Sequence, residues 1–125
     1  MAGNTYQITP FMQVADLAAA LRFFVETLGF EPIINDGGYA YLEREGAGFR
    51  VMQNTDAAEQ GTPHRGFAYY IDVRDVGAVL DQIGDRLAKL PDGDVVGPVD
   101  QPYGQRELMI RAPDGNVLVF GQAIA

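Results

Sequence analysis

Apolar residues recur with helical spacing in two parts of the chain, and each stripe follows an aspartate. Asp16 occupies an N-cap position, where its carboxylate accepts hydrogen bonds from the first turn, and Gly29 provides a left-handed stop. Asp75 caps the second stripe, which ends before the turn at residues 91–93. We therefore predict two amphipathic helices and interpret both aspartates as caps, not as catalytic groups. The stripes consist of Leu17, Leu21, Phe24, Val25 and Leu28, and of Val76, Val79, Leu80, Ile83 and Leu87.

Short runs of strand-forming residues occupy most of the remaining sequence. Two turns between these runs carry hairpin signals, at residues 45–48 and 112–115. With a strand before each helix, each half of the chain has the order βαβββ. One such unit exposes a face of a short curved sheet, so two units must share a surface or pair with a second chain, and a cleft between curved sheets results. The hairpin strands span residues 39–43 and 49–53, and residues 105–111 and 116–122.

The two halves are also related in sequence. A shift of 59 residues aligns Val14 with Val73 and Asp16 with Asp75, and it superposes the two apolar stripes. The polar stretch at residues 54–63 joins the copies. We therefore predict an α+β fold made of two βαβββ modules that form curved mixed sheets. The modules cover about residues 6–54 and 65–123 of a single domain, residues 1–125.

Composition limits both the architecture and the chemistry. A chain of 125 residues is too short for two ordinary domains, and its 47% apolar residues supply a core without disulfides or a structural metal. Because the chain has no cysteine, thiol catalysis, CxxC redox chemistry and cysteine-ligated zinc are excluded. The sequence offers no Ser-His-Asp arrangement, and no phosphate-binding or dinucleotide glycine motif is present.

The charge balance excludes two classes of partner. Nine basic residues against seventeen acidic ones give a formal net charge of −8, which repels nucleic acid phosphates and anionic lipid and attracts cationic small molecules. No segment approaches the roughly 18 to 20 apolar residues that a bilayer span requires, and the N-terminus lacks the pattern of a signal peptide. We expect a cytoplasmic protein with neither nucleic acid nor membrane as a partner.

Four motifs occur in an order that is specific when they are taken together. Two are the Val-x-Asp segments before the helices, and two lie near the final strands. In this arrangement the chain resembles the vicinal-oxygen-chelate superfamily, the glyoxalase, bleomycin-resistance and extradiol-dioxygenase group, over about Ile8 to Gln122. The resemblance implies the glyoxalase/bleomycin-resistance fold and a dimer with clefts at the interface. The motifs are Val14–Leu17, Val73–Val76, Gln101–Glu107 and Ala112–Asn116.

Enzymes of this superfamily typically place His or Gln five residues before the Val of each Val-x-Asp, and Glu near the ends of the final strands. Apart from one threonine hydroxyl, the matching side chains offer no hard donor to a divalent cation. We therefore predict no metal, no cofactor and no catalytic residue, and we interpret the lone His64 as a surface or hydrogen-bonded residue. The matching positions here are Thr9, Ala68, Val119 and either Val51 or Met52.

Without the metal, the resemblance is nearest to the bleomycin-resistance branch. It implies a small acidic protein that forms a homodimer and sequesters a drug in grooves between the subunits. The segment 103–108 resembles the Trp-Gly-x-Arg-Glu-Phe type of sequence common in that branch, with Tyr103 in place of Trp. Our leading hypothesis is therefore metal-independent binding of a small molecule.

Strand alternation predicts which side chains line the cleft. If Thr9, Ala68 and Val119 face it, the same parity brings aromatic residues and a few charged ones to that side. Planar groups stack on aromatic rings, and cations are favoured by those rings and by carboxylates, so we predict a planar, cationic ligand. The predicted binding residues are Phe11, Tyr39, Tyr41, Tyr70, Asp72, Tyr103, Glu107, Met109 and Val119.

Two other hypotheses stay open on the sequence. One is a metal-dependent lyase, isomerase or dioxygenase whose ligands are displaced, for example to His64 and Glu43. The other is a non-catalytic module whose groove accepts a peptide or another subunit. Aromatic strand positions are consistent with this second alternative, because a subunit interface produces the same alternation as a ligand cleft.

Overall fold

The computed structural model describes residues 3, 4, 6–54 and 68–124. The first half contains four strands, an α-helix and a π-helical segment that continues this helix. The second half repeats this order with a single helix. The elements of the first half are β1 Phe11–Val14, α1 Leu17–Arg22, the π-helical segment Phe23–Thr27, β2 Glu31–Asp36, β3 Tyr39–Arg44 and β4 Ala47–Gln53; those of the second are β5 Ala68–Asp72, α2 Val76–Leu87, β6 Val95–Asp100, β7 Gln105–Arg111 and β8 Val117–Ala123.

The two four-stranded sheets share one topology. The strand orders are β1-β4-β3-β2 and β5-β8-β7-β6. In each sheet the first strand pairs in parallel with the last, and the other neighbours are antiparallel. The predicted βαβββ order and the α+β fold class are confirmed. Because the topology repeats, β1, β2, β3 and β4 correspond in position to β5, β6, β7 and β8.

Both helices begin at the predicted caps. The Asp16 carboxylate accepts from the backbone N–H of Ala19 at 3.2 Å, and that of Asp75 accepts from Gly77 at 2.8 Å. A second cap in each half comes from the last strand of its sheet. The side-chain oxygen of Gln53 accepts from the N–H of Leu17 at 2.9 Å, and that of Gln122 accepts from Val76 at 2.8 Å. Sheet and helix are therefore joined directly in each half.

The first helix widens into a π-helical turn instead of continuing with regular α spacing. The N–H of Leu28 bonds to the carbonyl of Phe23 at 3.2 Å, five residues earlier. The wider turn points two consecutive side chains, Phe23 and Phe24, into the core, where the α-helical stripe predicted only the second. The ring of Phe24 packs edge-to-face on the rings of Phe30 and Phe49, with centroids 6.1 and 5.2 Å away.

One apolar core is shared by the two halves, and it includes residues of both helices and both sheets. Arg44, at the end of β3, crosses between the halves with a side chain only 9% exposed. Its Nε donates to the carbonyl of Leu28 at 3.2 Å, another of its nitrogens donates to the side-chain oxygen of Gln82 on α2, and its guanidinium lies 5.5 Å from the ring centroid of Phe120 on β8.

Two further hydrogen bonds connect the halves near β1. The buried side-chain amide of Asn116 donates to the carbonyl of Gln13 at 3.0 Å, and the Tyr69 hydroxyl donates to the carbonyl of Phe11 at 3.4 Å. Neither helix of the described part of the chain is long and apolar enough to cross a bilayer.

We expect Arg44→Met to lower the free energy of unfolding by about 1–3 kcal/mol, because it leaves the part-buried carbonyl of Leu28 without its donor and removes the bridge to Gln82. Urea denaturation followed by circular dichroism measures the change. Arg74→Met is the matched control, since Arg74 is exposed, and it should change stability by less than about 0.5 kcal/mol. Equal effects of the two substitutions would contradict the bridging role of Arg44.

Candidate functional site

Each sheet buries one face against the helices and leaves the other open. In β1 Met12 is buried while Phe11 is exposed, and in β7 Leu108 is buried while Met109 is 41% exposed. We call the two open surfaces the N-terminal and the C-terminal open face. They consist of Phe11, Gln13, Tyr39, Tyr41, Arg50 and Met52 in the first sheet, and of Tyr70, Asp72, Glu107, Met109 and Val119 in the second.

The C-terminal open face contains five of the predicted binding residues in two adjacent cross-strand rows. Tyr70, Val119 and Met109 form the first row across β5, β8 and β7. Asp72 and Glu107 flank Gly121 in the second row. Val119 is only 4% exposed, although it belongs to this open face and not to the main core. The face is therefore an apolar row beside an acidic one.

A hydrogen-bonded cluster lies at the centre of this face. The two carboxylate oxygens of Glu107 accept from different tyrosine hydroxyls, from Tyr70 at 3.0 Å and from Tyr103 at 2.9 Å. The Tyr70 hydroxyl also lies 3.0 Å from the side-chain oxygen of Gln105. We call these four residues the Tyr–Glu cluster. It presents a carboxylate with two phenol rings beside it, a combination that favours a cation.

Tyr103 reaches the cluster from the turn between β6 and β7. Arg106 closes the base of this hairpin by donating to both oxygens of Asp100, at 2.7 and 3.1 Å, and the N–H of Gln101 bonds to the carbonyl of Gln105 at 2.8 Å. The guanidinium of Arg106 lowers the pKa of the Asp100 carboxyl, mainly through this hydrogen bond. Arg106 therefore holds the turn and does not pair with Glu107.

The cluster keeps both tyrosines protonated. Loss of hydration, followed by the hydrogen bond to Glu107 and the charge of that carboxylate, raises the pKa of Tyr70 to about 12. The hydrogen bond to Glu107 is the main cause that raises the pKa of Tyr103. At neutral pH both hydroxyls therefore donate to the carboxylate and fix its orientation.

Two glycines permit aromatic rings to lie across the open faces. A Cβ atom at Gly121 would overlap the ring and hydroxyl of Tyr70, and one at Gly48 would lie 2.6 Å from the Tyr41 hydroxyl oxygen. Each ring therefore covers a strand position that only glycine leaves free. Sequence reasoning missed this pairing. The available signal was a glycine inside each of the strands β4 and β8, which often marks a close approach.

The N-terminal open face collects the other three predicted aromatic residues. Phe11, Arg50 and Tyr41 lie in register across β1, β4 and β3. The rings of Phe11 and Tyr39 are 6.2 Å apart between centroids and tilted by 46°. No hydrogen bond or ring contact within the described part of the chain joins this group to the Tyr–Glu cluster, so the predicted binding residues form two groups in one chain.

The positions matched to metal ligands do not fit a divalent cation. Thr9 accepts from the side-chain amide of Gln7 at 2.6 Å, while Ala68 and Val119 have no donor atom. For the fourth position, the sequence pointed to Val51 or Met52. Val51 faces the core and is fully buried, Met52 lies on the open face, and the register places Arg50 in the position that corresponds to Val119.

No three His, Cys, Asp or Glu side chains of residues 3, 4, 6–54 and 68–124 are arranged to hold a metal ion. His64 lies outside the described residues, so the alternative pairing of His64 with Glu43 stays a hypothesis. Glu43 itself lies directly across the strand pair from Glu31.

Comparison with protein families decides the relationship that the motifs suggested. The family model of the Glyoxalase/Bleomycin resistance protein/Dioxygenase superfamily matches residues 7–120. The chain belongs to this superfamily. Comparison with curated protein sequences gives no significant match.

Solved structures of the superfamily share the fold over nearly the whole chain. The bleomycin-binding protein of Streptomyces verticillus, solved with copper(II)-bleomycin, is 22% identical, with a TM-score of 0.79 and coverage of 99% of this chain and 100% of that one. The bleomycin resistance determinant encoded on transposon Tn5 is 20% identical (TM-score 0.72, coverage 95% and 98%). TnmS3, an antibiotic-binding protein from Streptomyces sp. CB03234, is 23% identical (TM-score 0.69, coverage 97% and 99%).

We expect Glu107→Gln to lower the pKa of Tyr70 from about 12 towards the ordinary value of 10.0, because the carboxylate charge that opposes phenolate formation is lost. Alkaline titration followed by near-ultraviolet absorbance measures this, and Tyr70→Phe identifies the Tyr70 transition. Because the pKa of Tyr70 is higher in the folded than in the unfolded chain, its protonated hydroxyl contributes to the free energy of unfolding. This contribution is fully present below pH 10 and is lost as the pH rises through about 12. Identical titration curves for the wild type and Glu107→Gln would contradict the cluster.

We expect Gly121→Ala to destabilise the protein by about 1–3 kcal/mol, because the added methyl group displaces the Tyr70 ring. Gly84→Ala is the control, since a Cβ at this helical position meets no atom within 4 Å, and it should stabilise by about 0.5–1 kcal/mol. Thermal unfolding compares the two variants. A neutral Gly121→Ala would show that Tyr70 does not depend on this glycine.

Proposed function

We propose that the protein is a homodimeric binding protein that sequesters a planar, cationic small molecule of antibiotic type without transforming it. The observation that carries this proposal is the Tyr–Glu cluster, in which the Glu107 carboxylate lies between the hydroxyls of Tyr70 and Tyr103. The cationic group of the ligand binds Glu107 and the faces of the two rings. Its planar part lies on exposed Met109, beside the buried Val119.

Charge supports this assignment. The chain has a net charge of −8, and Asp72 lies in the same row as Glu107 across Gly121, so the C-terminal open face attracts cations. The S. verticillus protein and TnmS3 are described as binding bleomycin and an antibiotic, respectively, and both share this fold. Their likeness supports antibiotic binding as the class of function.

The side chains of the site support binding over catalysis. The positions of the superfamily's metal ligands are occupied here by side chains such as Ala68 and Val119, which supply no ligand atom. The hydroxyls of Tyr70 and Tyr103 both donate to Glu107, and their raised pKa values disfavour the phenolate form still further. The cluster is suited to hold a charged group in place.

Exposed apolar side chains on both open faces support a dimer. Phe11, Met52, Tyr70 and Met109 lie on the open faces, and each is between 41% and 47% exposed. A second copy of the chain that covers these faces would enclose the ligand in grooves between subunits. Sedimentation analysis tests this part of the proposal, and a strictly monomeric protein at high concentration would contradict it.

The central experiment is calorimetric titration of the full chain with two cationic probes, bleomycin and proflavine. We expect Glu107→Gln to weaken their binding by about 10- to 100-fold, because a charge-assisted contact contributes about 1.5–3 kcal/mol. Glu26→Gln is the control, since Glu26 is exposed on the π-helical segment and should leave the affinity unchanged.

Two outcomes would overturn the proposal. In the first, neither bleomycin nor proflavine binds the protein, or both bind the wild type and Glu107→Gln with equal affinity. The other is turnover of a hemithioacetal by the protein when it is supplied with a divalent metal, since that is the chemistry expected of an enzymatic member.

A further inference from the structure

Arg50 is the only cationic side chain on the N-terminal open face, all four strands of which are described. It is exposed at the centre of the sheet, with Phe11 and Tyr41 as its cross-strand neighbours. Its guanidinium forms no ion pair, side-chain hydrogen bond or ring contact with any described residue. By contrast, Arg44 pairs with Glu45 and Arg106 with Asp100.

Three acidic residues lie on this face, but none is directly across from Arg50 in the register. Glu43 lies across from Gly48 and from Glu31, in the row next to that of Arg50, and Asp36 lies across from Tyr39 at the edge strand. None of the three carboxylates comes within 4.0 Å of the Arg50 guanidinium. The five donors of the guanidinium are therefore available to a ligand, although the protein as a whole is acidic.

The duplicated topology shows that the two open faces differ in charge at corresponding positions. Arg50 occupies the position that Val119 has in the second sheet, and Tyr39 occupies that of Glu107. At these positions the first face has a cation beside three aromatic rings, and the second has a carboxylate beside two. At a third pair of corresponding positions, Glu43 and Arg111, the charges are reversed. A ligand that suits the Tyr–Glu cluster has the wrong charge for Arg50.

We propose that Arg50, with Phe11, Tyr39 and Tyr41, forms a binding position for a planar aromatic carboxylate. The guanidinium donates to both oxygens of a carboxylate in a bidentate, coplanar arrangement. The rings of Phe11 and Tyr39, 6.2 Å apart between centroids, and the ring of Tyr41 provide the apolar surface against which the aromatic part of the ligand packs. This position goes beyond the proposed function, because it recognises an anion and uses the other sheet.

The test is a calorimetric or fluorescence titration of the full chain with naphthalene-2-carboxylate and with its neutral analogue naphthalene-2-carboxamide. We expect the wild type to bind the carboxylate about tenfold more tightly than the carboxamide, the scale of one charge-assisted contact. Arg50→Gln should abolish this preference without changing carboxamide binding, and Arg50→Lys should retain part of it because it keeps the charge and loses the fork.

Arg22→Gln is the matched control, because Arg22 is exposed at the end of α1 and outside both open faces, and it should keep the full preference. Equal affinity of the wild type for the two probes would overturn the proposal, as would equal losses in Arg50→Gln and Arg22→Gln. Near-ultraviolet circular dichroism confirms that the variants are folded.

Failure of this proposal is separable from failure of the proposed function. Arg50→Gln should bind proflavine as the wild type does, whereas Glu107→Gln should bind naphthalene-2-carboxylate as the wild type does. If the carboxylate binds through Arg50 and proflavine does not bind at all, the anion position stands and the cation proposal falls. If Arg50→Gln converts a wild-type dimer into monomers in sedimentation analysis, Arg50 belongs to a subunit contact and the anion position is overturned.

Discussion

One-sided burial of each sheet determines where the candidate binding residues of the strands lie. The helix of each half covers one face, and the strand period of two then directs alternate side chains to the opposite face, which no helix covers. The pairing register turns this alternation into rows, so that Tyr70, Met109 and Glu107 from different strands become neighbours. The two halves are also held together by this burial, because the covered faces pack into one core and Arg44 of the first half contacts Phe120 of the second.

Local patterns predicted the parts of the fold that local forces decide. The caps Asp16 and Asp75, the two hairpin turns and the parity of Phe11 and Tyr70 all depend on residues a few positions apart. Features that depend on register or on side-chain direction were missed. Arg50 replaced Val51 or Met52 in the position matching Val119 because the β1–β4 register, which no local signal contains, decides which residue faces the open side.

The same limit explains the Tyr–Glu cluster. Sequence reasoning predicted Tyr70, Tyr103 and Glu107 as binding residues, but it treated them as separate lining residues. Their union depends on a hairpin turn held by Arg106 and Asp100, and on a glycine in a neighbouring strand that admits the Tyr70 ring. The contacts of Tyr70 with Glu107 and Gly121 join segments distant in sequence, and the turn contacts depend on side-chain direction, so no periodicity along the chain predicts either. Superfamily membership accounts for the fold, and these contacts determine how the side chains of the Tyr–Glu cluster are arranged.

Two successive residues of strand β8 contact different parts of the protein, one on each face of the sheet. Gly121 must stay without a side chain beneath Tyr70, and Gln122, pointing the opposite way, must reach the first turn of α2. An insertion or deletion of one residue here would exchange the two, placing an amide under the ring and leaving the helix start without its partner. Among related chains this short segment should therefore tolerate neither length changes nor ordinary substitution, whereas the sequence of the exposed edge strand β2 should vary more.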